Sequence, residues 1–210
     1  LKPKALDLFC GADGATKGLQ CAGFYVVGVD IQPQPHYYGD EFYQADALNF
    51  PLEGFDFYWA SPPCQFGSMA TQQWRSEGRV YQNLIPATRD RLIKTGLPYV
   101  IENVVGAPYL RNPIKLNGAF FGLMLRRTRY FETSFPIDLI LLPKEIKSSV
   151  RMGRPINEGD IITPVGHFSN IPYAKKVMDI DWMTGKELSQ AIPPVYAEFI
   201  ARKFLEGIEL

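Results

Sequence analysis

The feature that most constrains this chain is an alternation, through about residue 105, of short apolar runs with stretches of helical character. Ala5–Phe9 reads as a buried strand, followed by a turn bearing Gly11 and Gly14 and then a helix over about Ala15–Cys21. Tyr25–Asp30 is a β-branched strand that ends on an acid. Phe55–Ala60 is another, closed by Ser61-Pro62-Pro63, where two prolines without N–H groups stop the ladder. A helix is expected over Leu84–Lys94 and a strand over Tyr99–Glu102. Strands alternating with helices at this spacing build βαβ units, hence an α/β fold with a mostly parallel, twisted sheet. Ligands of such sheets sit beyond the carboxyl ends of the strands. Gly11, Asp30, Pro62–Gln65 and Glu102 all fall just past predicted strand ends.

After Arg129 the pattern weakens. Residues 134–182 are rich in Pro, Gly and isolated basic residues, with short apolar runs such as Ile137–Leu142 and Ile161–Val165. This stretch is expected to form a small irregular lobe, residues 131–182, set into a domain built from 1–130 and 183–210. The chain turns helical again after Pro193-Pro194, with Val195, Phe199, Ile200 and Phe204 spaced to line one face.

With 210 residues, 46% hydrophobic and 21% charged, the chain can bury one good core with a small appended lobe. No apolar run approaches the roughly 20 residues of a membrane span, and no signal-peptide pattern opens the sequence. A cytoplasmic, monomeric protein with no membrane partner is the expectation. Cys10, Cys21 and Cys64 are an odd number and suit a reducing compartment, where each is either packed or reactive. Two His and no Cys-x-x-Cys pair leave no expected metal site. Net charge is zero, but the basic residues concentrate between 61 and 176 while both ends are acidic. That distribution suits one face meeting phosphates.

Asp7-Leu8-Phe9-Cys10-Gly11-Ala12-Asp13-Gly14 is a strand running into a tight turn before a helix. Glycine permits close ligand approach, and the helix start offers free N–H groups. The spacing Gly11, Gly14, Gly18 differs from Gly-x-Gly-x-x-Gly, which disfavours NAD and favours an adenosine-containing cofactor without a pyrophosphate. Asp30 is placed to accept from ribose hydroxyls. Cys64 follows two prolines at a strand end, where a thiol is exposed rather than packed. Glu102-Asn103-Val104 places an acid at the end of a buried strand. A thiolate with a carboxylic acid is what attack on a cytosine ring needs: sulfur adds to C6 while the acid engages N3.

Asp7–Gly14, Ser61-Pro62-Pro63-Cys64-Gln65, Glu102-Asn103-Val104, Arg127-Thr128-Arg129 and Ala191-Ile192-Pro193-Pro194 together resemble the ordered motifs of DNA cytosine-5 methyltransferases. The resemblance spans nearly the whole chain. It implies a Rossmann-like fold dependent on S-adenosylmethionine, with the irregular lobe as target-recognition region and S-adenosylhomocysteine as coproduct. It implies Cys64 as nucleophile, Glu102 at N3 and the 4-amino group, Arg129 at the O2 side of the base, and Arg127 supporting the catalytic loop and acid. For the cofactor it implies Phe9, Gly11, Gly14, Asp30, Ile31, Asp46, Ala47, Pro63, Gln190 and Ala191. The sequence departs from the family in Asp13, Leu125 and Ser189-Gln190, and in the short span between Arg129 and the closing segment.

The substrate implied is double-stranded DNA, with the cytosine extruded from the stack. Gln65, Ser68, Arg75 and Arg79, on the segment after Cys64, and Arg151, Arg154, Lys175 and Lys176, in the lobe, are the expected DNA contacts. Three alternatives stand beside this reading: the same chemistry on RNA or free cytosine, a modified donor derived from S-adenosylmethionine, and a non-catalytic DNA-binding relative.

Overall fold

The computed structural model describes residues 2–64, 82–138, 147–149 and 154–208. Seven strands form one sheet in the order β3-β2-β1-β4-β5-β7-β6. They are β1 (Lys4–Leu8), β2 (Tyr25–Asp30), β3 (Glu41–Gln44), β4 (Phe57–Ala60), β5 (Tyr99–Val104), β6 (Ile114–Leu116) and β7 (Arg129–Thr133). Strands β1 to β5 pair in parallel, whereas β7 runs antiparallel to both β5 and β6. The order reverses at β1, between β2 and β4, which opens a crevice at the carboxyl ends of these strands.

Alternation along the strands feeds two cores. Ala5, Phe57, Trp59 and Val100 face α1 (Gly14–Cys21) and the closing helix Pro194–Ile208, while Leu6, Leu8, Tyr58, Ala60 and Ile101 face α2 (Ile85–Thr95). Trp59, Tyr58 and Phe57 are almost fully buried. Each such side chain removed from water stabilises the fold by roughly 1.5–3 kcal/mol. The first helix and the closing helix meet at Gly14 and Gly18. A Cβ on Gly14 would lie 2.0 Å from the Ile192 carbonyl oxygen, and one on Gly18 would lie 2.1 Å from that of Pro194. On the other face, a buried bidentate pair locks α2 to β7: Arg89 Nε and Nη2 each lie 2.6 Å from a Glu132 oxygen. Glu132 also accepts from the Arg111 N–H at 2.7 Å, so its lone pairs are well used.

A third apolar cluster gathers residues between 156 and 183 with others from outside that stretch. Ile156, Ile162, Tyr173, Ala174, Met178, Ile180 and Met183 pack together and onto Ala12, Leu125 and Leu188. The stretch contains α3 (Ile171–Met178), opened by Asn170, whose side chain accepts from the Tyr173 N–H. A short helix α4 (Gly185–Gln190) follows, with a capping box in which Thr184 and Glu187 satisfy each other's backbone N–H groups. The closing helix Pro194–Ile208 is therefore α5. The strand Arg129–Thr133 carries the sheet through residue 133, slightly beyond where the lobe is expected to begin. None of the described helices is long and apolar enough to cross a membrane.

Candidate active site

Four strand ends converge on the crevice. At the end of β1 the chain turns through Phe9 (φ 59°) and Gly11 (φ 55°). The space where a Gly11 Cβ would project is open, so the backbone there is accessible to a ligand. Gly11 N–H donates to Asp30 Oδ2 at 3.1 Å, and Gln32 N–H donates to Asp30 Oδ1 at 2.8 Å. The acid at the end of β2 is thereby fixed beside the turn. Ile31 follows it, 63% exposed, an apolar surface beside that carboxylate. The Ala45 N–H bonds the Asp30 carbonyl, which brings Asp46 to the same edge. Asp46 forms a local turn, accepting from Leu48 N–H at 2.9 Å and Asn49 Nδ2 at 2.6 Å. From the other side, α4 ends at Gln190, and Ala191 leads into Ile192, whose carbonyl covers Gly14. These residues fit an adenosine-bearing group, with a carboxylate, an open glycine turn and an exposed aliphatic side chain on adjoining loops.

Two expected cofactor residues have other work. Gly14 is required by its close approach to Ile192, which leaves no Cβ space whatever binds nearby. Ala47 is buried in the α2-side core, and its carbonyl accepts from Arg91 Nη1 at 2.6 Å. Its methyl group lines the core rather than the crevice.

The departure at Asp13 has an unexpected outcome. Its side chain is 1% exposed and turns inward, accepting from Thr16 Oγ1 at 3.0 Å and from Tyr38 N–H at 3.2 Å. Thr16 Oγ1 also lies 2.8 Å from Asp7 Oδ2. A threonine hydroxyl has one proton and can donate to only one carboxylate. The second contact therefore needs a proton on a carboxyl group. Burial drives the Asp7 carboxyl up to about 7, against the lowering effect of Thr16, and pushes Asp13 well above the usual carboxylate range. Nothing in the sequence pattern flagged this acid pair, although a polar residue inside the run Ala5–Leu8 was its visible trace.

The other side of the crevice is built from β4, β5 and β7. Cys64 lies four residues past β4, half-buried. Asn103 on β5 donates from Nδ2 to the Pro62 carbonyl at 2.9 Å, pinning the Cys64 segment to the strand that carries Glu102. This role of Asn103 was not read from the sequence. Register aligns Glu102 with Phe131 and Val104 with Arg129. Arg129 Nε lies 3.1 Å from Glu102 Oε1, both largely buried. Burial raises the Glu102 carboxyl above its ordinary value, opposed by Arg129, Arg127 and a hydrogen bond from Ser61. The Cys64 thiol is raised by burial and then by the Glu102 charge, with Arg129 and Arg127 pulling the other way. Thiol, carboxyl and two guanidinium groups thus share one electrostatic environment. Pro63 is exposed beside Cys64. Arg127 is 2% exposed, and two of its nitrogens donate to carbonyls, of Pro164 at 2.7 Å and of Ser189 at 2.8 Å. Neither bond goes to the catalytic loop or the acid that it was expected to support.

The expected DNA contacts are less concentrated. Lys175 and Lys176 lie on α3, where Lys175 Nζ bonds the Asp181 carbonyl and Lys176 pairs with Glu158. Arg154 is engaged by both oxygens of Asp160 at 2.7 Å. Gln65, Ser68, Arg75, Arg79 and Arg151 lie outside the described residues.

The strand order and the crevice define a class, the Rossmann-like methyltransferase fold. The chain is similar in structure to an E. coli prophage protein described as a DNA modification methyltransferase, with TM-score 0.65 and 15% identity, covering 99% of this chain and 100% of that one. It is similar also to the Schizosaccharomyces pombe Dnmt2 methyltransferase, described as from S. pombe, with TM-score 0.60, 14% identity and full coverage of both chains. A Spodoptera frugiperda DNMT2 mutant gives TM-score 0.62 at 12% identity, covering 97% of this chain and 99% of that one. At these identities the likeness is one of fold, and it agrees with the fold that the motif resemblance implied. No family model and no curated protein matches the chain.

Proposed function

We propose that this protein transfers a methyl group to C5 of cytosine in double-stranded DNA, through a covalent bond between Cys64 and C6 of a flipped base. The observation that carries the reading is the placement of Cys64 beside Glu102. Cys64 follows β4 and Glu102 lies on the neighbouring β5, the two segments joined by the Asn103 bond to Pro62, with Arg129 paired to the acid. S-adenosylmethionine, when bound, supplies the electrophilic methyl group, and Phe9, Gly11, Asp30, Ile31, Asp46, Gln190 and Ala191 are the residues that would hold it.

The proton inventory explains how the pair can work. A thiol beside a carboxylate and a thiolate beside a carboxylic acid carry the same net charge. Burial raises the proton affinity of both groups, and attack requires the second arrangement. In the second arrangement the Cys64 sulfur adds to C6 while Glu102 gives its proton to N3, so the ring accepts the electron pair. C5 then takes the methyl group. Solvent water takes the C5 proton, N3 returns its proton to the Glu102 carboxylate, and the electrons of the C5–H bond expel the Cys64 thiolate, which restores the aromatic ring. Arg129 holds the Glu102 carboxyl in place and presents positive charge to the O2 side of the base.

Trapping on duplex DNA containing 5-fluorocytosine tests this, because fluorine at C5 blocks the final elimination. Wild type should form a cofactor-dependent covalent adduct that is absent in Cys64→Ser. No adduct on any cytosine-containing duplex would sink the covalent scheme, and adducts on RNA alone would transfer it to the other substrate. Mass spectrometry of the product nucleoside reports whether the group added is methyl.

A further inference from the structure

Arg127, within electrostatic reach of Cys64 and Glu102, directs its hydrogen bonds to a junction beside them. Its guanidinium is nearly inaccessible, and it holds the Pro164 carbonyl of the lobe with Nη1 and the Ser189 carbonyl, just before the cofactor residues Gln190 and Ala191, with Nη2. Its own carbonyl accepts from the Tyr196 hydroxyl of α5 at 2.8 Å. The lobe segment it grips is also tied to the chain just before β7. The Arg126 N–H donates to the Ile162 carbonyl at 2.8 Å, and the Ile162 N–H donates to the Met124 carbonyl at 3.0 Å. A guanidinium is a planar fork whose N–H directions are fixed. The carbonyls of Pro164 and Ser189 are therefore held at a set separation, and one cannot shift without drawing the other.

The junction is also incompletely satisfied. Arg127 Nε and Thr163 Oγ1, one residue from Pro164, are both buried without a hydrogen-bond partner among the described residues. Buried polar atoms left unpaired are costly. Any lobe displacement that gives these two atoms partners is favoured, and the shared guanidinium carries that displacement to Ser189.

Building on the function proposed above, we infer that Arg127 is a positioning residue that couples nucleic-acid engagement by the lobe to cofactor affinity. Arg127 does this by holding the lobe segment Ile162–Pro164 and the cofactor segment Ser189–Ala191 on one rigid group. Reciprocity then requires the cofactor to strengthen DNA binding by the same factor. A purely structural arginine would alter stability and leave that factor unchanged.

Calorimetry tests the coupling with S-adenosylhomocysteine as the probe, titrated into the protein alone and into the protein saturated with sheared genomic DNA. Sheared genomic DNA contains every short recognition sequence. DNA should change the wild-type dissociation constant by about fivefold or more, the lower end of ordinary coupling. In Arg127→Lys, whose point charge cannot span two carbonyls, the change should fall below about twofold. Wild-type coupling retained in R127K overturns the inference. Should R127K fail to fold, hydrogen exchange on wild type decides. S-adenosylhomocysteine without DNA must slow exchange at the Arg126 and Ile162 amides, and unchanged exchange there overturns the inference. A wild type that binds the probe and is trapped on 5-fluorocytosine DNA, yet shows no coupling, overturns this inference alone. A wild type that binds no probe and forms no adduct overturns the proposed function with it.

Discussion

The two halves of the crevice bury carboxyl groups by different means. On the base side Glu102 is surrounded by cations, with Arg129 at 3.1 Å and Arg127 close enough to oppose its raised proton affinity. On the cofactor side Asp7 and Asp13 are as deeply buried, and no cation appears among the groups that shift either of them. They are bridged by Thr16 and a retained proton. A buried charge must be paired or neutralised, and here one site is paired and the other neutralised. The difference teaches where chemistry is to be sought. An acid poised between proton affinity and ion pairing can exchange its proton, whereas an acid pair locked on a threonine serves to shape a turn.

The largest effect should come from removing the exchangeable proton. Glu102→Gln keeps the shape and the hydrogen-bonding capacity but cannot protonate N3. It should depress the single-turnover rate by about 10²–10⁴-fold, the range for loss of a general acid, with little change in DNA binding measured by anisotropy. If E102Q kept the wild-type rate, the acid would be a partner for Arg129 and nothing more. The contrast between the two halves would then lose its meaning.

The cofactor side makes the opposite forecast, in stability rather than rate. Asp7 has a folded-state value of about 7 against an ordinary 3.8, so the native protein holds an extra proton between those pH values. A raised carboxyl favours the folded state at low pH, and that advantage is lost as pH rises through the window, by at most about 1.4 kcal/mol per unit. Asp13→Asn removes the second raised acid, which burial and the Asp7 charge push up, and leaves an acceptor for Thr16 and Tyr38. Urea midpoints at pH 5, 6, 7 and 8 should therefore fall less steeply in D13N than in wild type. Equal slopes would show that no proton is shared there.

How much of this was legible in the sequence follows the same division. Strands β1, β2, β4 and β5 and helices α1 and α2 were readable because their side chains alternate between two cores or repeat along one face. Strand β3 was missed because three of its four residues, Glu41, Tyr43 and Gln44, are exposed and offer no alternation. The antiparallel pair β6 and β7 is short and paired by register rather than by apolar content. Helix α3 had readable start signals in Asn170 and Pro172, masked by the Pro- and Gly-rich surroundings. In the site, Cys64, Glu102 and Asp30 were legible because each lies at or just past a predicted strand end. Asn103, Thr16 and the inward turn of Asp13 were not, because their partners are set by tertiary folding. Asn103 reaches across to Pro62, and Asp13 to Tyr38.

Two glycines sharpen the comparison at smaller magnitude. Gly14→Ala forces a methyl group against the Ile192 backbone and should cost about 1–3 kcal/mol, as overpacking does. Gly11→Ala meets open space, so its cost is the left-handed backbone alone, about 1–2 kcal/mol. S-adenosylhomocysteine affinity, measured on whatever fraction folds, should fall for G11A, whose new methyl group projects into the accessible side of the turn. For G14A it should stay near wild type. The reverse pattern would place the ligand against the helix start rather than against the turn.

The smallest effect belongs to the lobe. Lys176 pairs with Glu158 on the exposed surface, where solvent screening leaves such a pair contributing little to stability. Lys176→Ala should leave stability nearly unchanged. If the lysine exchanges Glu158 for a phosphate when DNA binds, the slope of log affinity against log salt should fall by about one for its loss. Glu158→Gln provides the converse, freeing the lysine and strengthening DNA binding at low salt. Matching salt slopes in wild type, K176A and E158Q would remove α3 from the interface. The phosphate contacts would then belong to other parts of the basic middle of the chain, and the lobe's role would narrow to what Arg127 transmits from Pro164.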